Sequence, residues 1–166
     1  MKTLLELIRK FEGCRLVTYK CPAGVDTIGW GTTGPDITPG LRWTQEQADD
    51  RLELDAAVYL YGTQRLIPNL SGDALEAIAD FSYNLGLTRL KGSTLRKKLL
   101  AGDRAGAVTE LMKWTRGGGR VLPGLIARRA AEAEYLKVTT DAPVKDEERG
   151  TINFLRQLRL LVKGHE

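Results

Sequence analysis

Apolar residues at positions 4, 5, 8 and 11 recur at helical spacing, so residues 3–11 predict an amphipathic helix that stops at Gly13 and leaves Glu12 at its exit. The period then shortens. "RLVTYKCPAGVDTIGWG", residues 15–31, is rich in β-branched and aromatic residues and is broken by Cys-Pro-Ala-Gly. It predicts two short strands joined by a tight turn, with Pro22 at the second turn position and Gly24 free to adopt positive φ. This is the one convincing sheet signal along the chain. A Gly- and Pro-rich loop, "TTGPDITPGLRW", runs to Thr44, where T-Q-E-Q matches a capping box and opens a long connecting helix to about Tyr61.

From residue 70 the pattern is purely helical, with caps near Ser71, Ser93 and Asp103 and stops near Gly86, Gly102 and the glycines at 117–119. Leu75, Ile78, Ala79, Leu95, Leu99, Val108, Leu111, Met112, Leu125 and Leu136 keep the helical period and are the expected core. A polar segment, "TTDAPVKDEERG", precedes a terminal helix of about 151–163 with an apolar stripe of Phe154, Leu155, Leu158, Leu161 and Val162. The narrow stripe reads as core-facing; a cationic membrane-active tail is the alternative. There is no internal repeat. The pattern as a whole predicts an α+β fold.

Strand alternation adds chemistry to the hairpin. With Cys21 opposite Val25 across the turn, Tyr19 pairs with Thr27 and Lys20 with Asp26. Cys21, Tyr19 and Thr27 then share one face, with Cys21 and Thr27 diagonal neighbours roughly 7–8 Å apart. Lys20 and Asp26 fall on the other face and can neutralise each other, which removes Asp26 as a partner for Glu12. An isolated glutamate leaving a helix and facing such a polar pair suits glycoside hydrolysis, which needs an acid on the leaving oxygen and a positioned water opposite. Solvated surface, strand propensity and a small buried thiol are the plain alternatives.

Composition narrows the classes. At 166 residues and 42% hydrophobic the chain fits one domain with a real core. Glu6 interrupts the first apolar run, which is too short for a signal segment or a membrane span. Two cysteines make no disulfide scaffold, and one histidine makes no zinc set, so neither metal nor cofactor is expected. A net charge of +4 suggests a polyanionic partner. The single basic cluster, Arg96 to Lys98, lacks any nucleic-acid motif, so no nucleic-acid partner is expected.

The hairpin resembles the phage lysozyme (endolysin) family related to phage T4 lysozyme, whose signature is Glu, eight residues, Asp or Cys, five residues, Thr, then "TIG" and a further Gly. Here it reads Glu12, Cys21, Thr27, Ile28, Gly29 and Gly31. "FSYNLG" at 81–86, "GSTL" at 92–95, Gly102–Asp103, Trp114 and "GLIARRAAEAEYL" at 124–136 extend the likeness over about residues 3–138. The resemblance implies a lysozyme-like fold: a single domain, 1–166, with a small hairpin lobe of about 13–43, a helical lobe of 1–12 and 44–166, and a cleft between them.

It further implies a muramidase cutting the β-1,4 bond between N-acetylmuramic acid and N-acetylglucosamine with inversion. Glu12 would be the general acid, and Cys21 with Thr27 would hold the water. Tyr19, Thr33, Tyr83 and Asn84 would line the cleft, and Arg129 would be a structural or cleft-side charge. Thr32 stands where many relatives carry histidine, a departure expected to remove a structural polar contact. Cys21 replaces the commoner aspartate, either as a thiolate base or as a neutral group that orients water. The partner implied is peptidoglycan of a Gram-negative host, reached from the host cytoplasm into the periplasm through a holin pore, by a monomer. A lytic transglycosylase acting on the same bond and a non-enzymatic basic binding protein are the rivals.

Overall fold

A computed structural model describes residues 1–21 and 23–137 of the chain. The expected turn role of Pro22 and the expected terminal helix lie outside the described residues. The first helix, α1 (Lys2–Phe11), buries the expected Leu4 and Ile8 together with Leu7, while the expected Leu5 and Phe11 are only partly buried. Its entry is fixed from a distance: the Leu4 amide donates to Glu76 Oε2 at 3.0 Å, and Thr3 Oγ1 donates to Asp73 Oδ1 at 2.6 Å.

Strands β1 (Arg15–Lys20) and β2 (Asp26–Gly29) pair antiparallel with Tyr19 opposite Thr27 and Lys20 opposite Asp26. The Cys21 amide donates to the Val25 carbonyl at 3.0 Å, and Gly24 takes φ +77°, as the turn requires. Farther from the turn the register shifts, and Arg15 lies opposite Gly29. The loop beyond the hairpin is more sheet-like than its glycines and prolines suggest: the Thr18 amide donates to Leu41 at 3.0 Å, and the Trp43 amide to Leu16 at 2.9 Å.

Helix α2 (Gln45–Leu66) begins with the predicted capping box, Thr44 against Gln47, but continues five residues past Tyr61. Gly62 does not end it. That glycine admits the Leu87 side chain into contact with the helix, where a Cβ would overlap it. Helix α3 (Gly72–Leu85) follows, its Ala77, Ile78, Ala79 and Phe81 all 0% exposed. One face meets Leu4, Ile8, Leu52 and Ala56. Another joins the larger core of Ile67, Leu90, Leu95, Leu111 and Leu136, supplied with α4 (Leu87–Gly92), α5 (Thr94–Leu100), α6 (Arg104–Leu111) and α7 (Pro123–Lys137).

The predicted caps hold at Ser93, which accepts from the Arg96 amide at 3.0 Å, and at Asp103, which accepts from the Gly106 amide at 2.8 Å. Ser71 occupies its N-cap without a side-chain bond.

Two expectations are corrected. The second half is not purely helical: α6 ends at Leu111, and β3 (Arg116–Gly117) pairs with β4 (Arg120–Val121) around Gly118 and Gly119, both at positive φ. Glycines that can stop a helix can equally make a hairpin turn. Leu125 is only half-buried, and the buried positions of α7 include Arg128, Arg129 and Glu132 beside Ala133 and Leu136.

Candidate active site

Glu12 is the C-cap of α1, in extended backbone (φ −100°, ψ 136°), which turns its side chain out of the helix. The carboxyl is 27% exposed, and Oε1 accepts a hydrogen bond from Arg128 Nη1 at 2.6 Å. Oε2 faces Gly31, where even an added Cβ would stand 3.8 Å away. One oxygen is therefore anchored, and the other faces a glycine, which puts no side chain against it.

Arg128 comes from the inner face of α7 and is 2% exposed. Its Nε and Nη2 donate to the two oxygens of Asp80 at 2.8 and 2.7 Å, a fork that fixes the guanidinium plane and leaves Nη1 for Glu12. Burial works against the charge, but Asp80 and Glu12 outweigh it, so the guanidinium is held more firmly protonated than usual.

Behind it, Arg129 is 0% exposed; it stacks 5.0 Å from the Phe81 ring centroid and donates from Nη2 to Glu132 at 2.6 Å and to Asn84 Oδ1 at 3.2 Å. Burial first, then the Asp80 charge against the pull of Arg129, pushes the Glu132 carboxyl well above the usual carboxylate range. Burial also pulls Arg129 down, yet a guanidinium keeps its proton in proteins.

The hairpin supplies the other polar groups. Thr27 is 3% exposed and donates from Oγ1 to the Val25 carbonyl at 3.0 Å. The Cys21 thiol is drawn below its ordinary value, first by the Val25 backbone amide and then by that of Ala23; burial opposes this and the Thr27 hydroxyl assists it. Lys20 and Asp26 pair at 2.8 Å on the opposite face, as the alternation requires. Both cysteines are free thiols.

Tyr19 lies between the two halves. Burial raises its phenol, Arg15 stacked 4.4 Å from its ring opposes this, and the nearby charges of Glu12 and Cys21 add to the rise. Tyr83 connects α3 to the hairpin region by donating to the Trp30 carbonyl at 2.9 Å, and its ring meets Tyr59 edge-on at 5.2 Å. Burial, and then the charges of Asp55 and Glu12, raise the Tyr83 phenol strongly, so it remains a neutral donor.

The structure thus brings Glu12, Tyr19, Cys21, Thr27 and Tyr83 together. Thr33 is exposed on the following loop, and Asn84 is half-buried with its carbonyl engaged by Arg129. Arg129 as a substrate-binding charge is corrected: a side chain with no exposure meets no substrate, and its neighbour Arg128 is the one that reaches Glu12. Thr32 is corrected as well. Its hydroxyl keeps a polar contact, donating to Asp55 Oδ2 at 2.8 Å while Arg51 holds the other oxygen at 3.0 Å.

Arg128 and Asp80 were missed by sequence reasoning, although a signal existed. Positions 125, 128, 129, 132 and 136 form one helical face, and three of the five are charged. Among the described residues no group of histidine, cysteine or carboxylate side chains is arranged to hold a metal, and no helix is long and apolar enough to cross a membrane.

An anchored carboxyl at a helix exit, set against a small hairpin on a helical body, defines a lysozyme-type fold. The chain is similar to the muramidase domain of SpmX from Asticaccaulis excentricus, with a TM-score of 0.75 and 28% identity, covering 83% of this chain and 97% of that one. The phage lysozyme family model matches residues 9–132, and the chain belongs to that family. It is 43% identical over 134 residues to the endolysin of Acyrthosiphon pisum secondary endosymbiont phage 1, covering 77% of this chain and 90% of that relative. It is 36% identical over 131 residues to the endolysin of Bacillus phage B103, covering 77% of this chain but 50% of that longer relative. The protein is accordingly an enzyme of the lysozyme class, one that lyses bacterial cell walls.

Proposed function

We propose that the protein hydrolyses the β-1,4 bond between N-acetylmuramic acid and N-acetylglucosamine of peptidoglycan, with inversion. The observation that carries this reading is Glu12, anchored through Oε1 by Arg128 while Oε2 faces Gly31, which has no side chain. In the reaction Glu12 gives its proton to the glycosidic oxygen as the bond from the anomeric carbon breaks. A water held by Cys21 and Thr27 adds to the opposite face of that carbon. Its proton passes to the Cys21 sulfur as a thiolate base, in the direction that the Val25 and Ala23 amides favour by drawing the thiol below its ordinary value. The two proton transfers balance, and one water is consumed per bond.

The Thr27 hydroxyl is oriented by the Val25 carbonyl, so the pair presents a fixed polar edge to the water. Tyr19, Thr33 and Tyr83 line the sugar path in this reading. The net charge of +4 favours approach to a polyanionic wall. The same reading has the enzyme act as a monomer, stored in the host cytoplasm and admitted to the wall through a holin pore; lysis on expression without a holin overturns that route.

Product analysis on purified peptidoglycan tests the chemistry. Mass spectrometry should find muropeptides ending in reducing N-acetylmuramic acid, formed first as the α anomer by proton NMR. A 1,6-anhydro end would identify a transglycosylase and overturn hydrolysis. Glu12→Gln should abolish wall lysis with an unchanged circular dichroism spectrum, and appreciable residual lysis would remove Glu12 from the acid role.

A further inference from the structure

Asp80 takes no part in the steps above, yet it is 0% exposed on α3 and gives both oxygens to the guanidinium that holds Glu12. An Arg128 facing Glu12 alone would favour the carboxylate and withdraw the proton that an acid must carry. Positioning by a cation and retention of a proton are therefore opposed. A fixed anion on the far side of the same guanidinium removes the conflict.

We propose that Asp80 is a positioning residue for the acid: by its two hydrogen bonds to Arg128 it aims Nη1 at Glu12 and offsets the cationic charge, so that Glu12 is oriented without losing its proton. This rests on Glu12 being the acid. The other charged and titratable groups are accounted for. Around Glu12 stand Tyr19 of β1 and Tyr83 of α3, with Arg15 stacked on Tyr19, Cys21 near it, and Asp55 of α2 near Tyr83. Around Arg128 stand Glu132, 3.9 Å from Nε, and Arg129. Among the described residues, Asp80 is the carboxylate that binds this guanidinium through two short bonds.

The test reads Glu12 directly, by carbon NMR of its carboxyl across pH, beside the pH profile of wall lysis. In Asp80→Asn, close in shape to the native residue, the Glu12 midpoint should fall by about one pH unit or more, and the alkaline limb of lysis should move down with it. A purely structural Asp80 would lower the melting temperature and leave the midpoint in place. A folded Asp80→Asn with the wild-type midpoint overturns the proposal.

Should Asp80→Asn fail to fold, the pair Asp80→Asn with Arg128→Gln removes both charges. A midpoint near the wild-type value then supports the offset, and a clearly raised one overturns it. A lowered midpoint with an unmoved rate limb supports Asp80 and overturns Glu12 as the acid. An inactive Glu12→Gln alongside an unmoved midpoint in Asp80→Asn overturns Asp80 alone.

Discussion

Arg128→Met tests the buried network by its energetics. Methionine keeps an apolar stem, so what is lost is the charge, the hydrogen bonding and the guanidinium's contact 5.7 Å from the Phe11 ring centroid. Three short bonds go: two to Asp80, at 2.8 and 2.7 Å, and one to Glu12, at 2.6 Å. Glu12 is partly exposed and regains water, but Asp80 is fully buried and is left as an uncompensated carboxylate. Breaking a buried pair from one side costs about 3–5 kcal/mol. For a chain of this size that is a melting temperature lower by roughly 6–20 °C. Loss of the anchor on Glu12 should also cut lysis by about 10²-fold.

The penalty has a pH signature. An orphaned buried carboxyl has a folded-state pKa above its unfolded value of about 3.9, so between the two the folded state binds more protons. Stability then falls as pH rises through that window. Urea unfolding followed by circular dichroism should therefore show a larger deficit against wild type at pH 7 than at pH 4. Adding Asp80→Asn to Arg128→Met should recover a large part of the loss, because the orphaned charge is gone. A deficit below about 1 kcal/mol at pH 7, the level of a surface pair, or one equal at both pH values, would refute the reasoning.

Glu132 has a carboxyl raised by burial, so its ionisation costs stability as pH climbs above the unfolded value of about 4.3; Glu132→Gln should flatten the urea-midpoint profile between pH 4.5 and 7.5, and parallel profiles would refute this. Tyr83→Phe removes the donor to Trp30 and should cost about 0.5–1.5 kcal/mol in urea unfolding; an unchanged midpoint would show that the bond ties nothing together. Asp26→Asn loses only a pair with the exposed Lys20 and should leave lysis within a few-fold and stability within about 1 kcal/mol; a much larger loss of lysis would bring Asp26 into the mechanism. Cys21 should alkylate with a pH midpoint below that of an unperturbed thiol, and Cys21→Asp should stay lytic and resist inactivation by iodoacetamide, with Cys14 as its remaining target.

The hairpin was legible because strand alternation is strict. Once the turn sets Tyr19 against Thr27 and Lys20 against Asp26, Asp26 falls on the opposite face from Tyr19 and Thr27, although the register shifts farther from the turn. The caps at Thr44, Ser93 and Asp103 were legible for a similarly local reason, since each side chain bonds a backbone amide a few residues on. Glycine was the ambiguous letter. At Gly62 it permits contact with Leu87 inside a continuing helix, and at Gly118 and Gly119 it turns a hairpin. Which role applies depends on what packs opposite.

Helix α7 and its core residue Leu136 were legible, but the charges on its buried face were not, for a different reason. A hydrophobic pattern identifies a core face by its apolar residues, and here that face carries Arg128, Arg129 and Glu132. The buried charges of α7 accompany the arrangement at Glu12: a cation reaches its Oε1 from the protein interior on a long stem, in one orientation. Delivering it buries a guanidinium, which calls for Asp80, and the helical repeat places Arg129 and Glu132 beside it in the same dry layer. Among the described residues that layer is not fully satisfied, since Arg129 Nε and Nη1 and Glu132 Oε2 find no hydrogen-bond partner there. Apolar replacements of matching shape are often as stable as such a cluster or more so, so stability alone gives little reason for these charges. Their position behind Glu12, the acid of the proposed mechanism, supplies one, and local rules are expected to break at functional sites. The stretch where the apolar period breaks is therefore itself a pointer to the site, legible from sequence once the charges on the inner face of α7 are counted as interior.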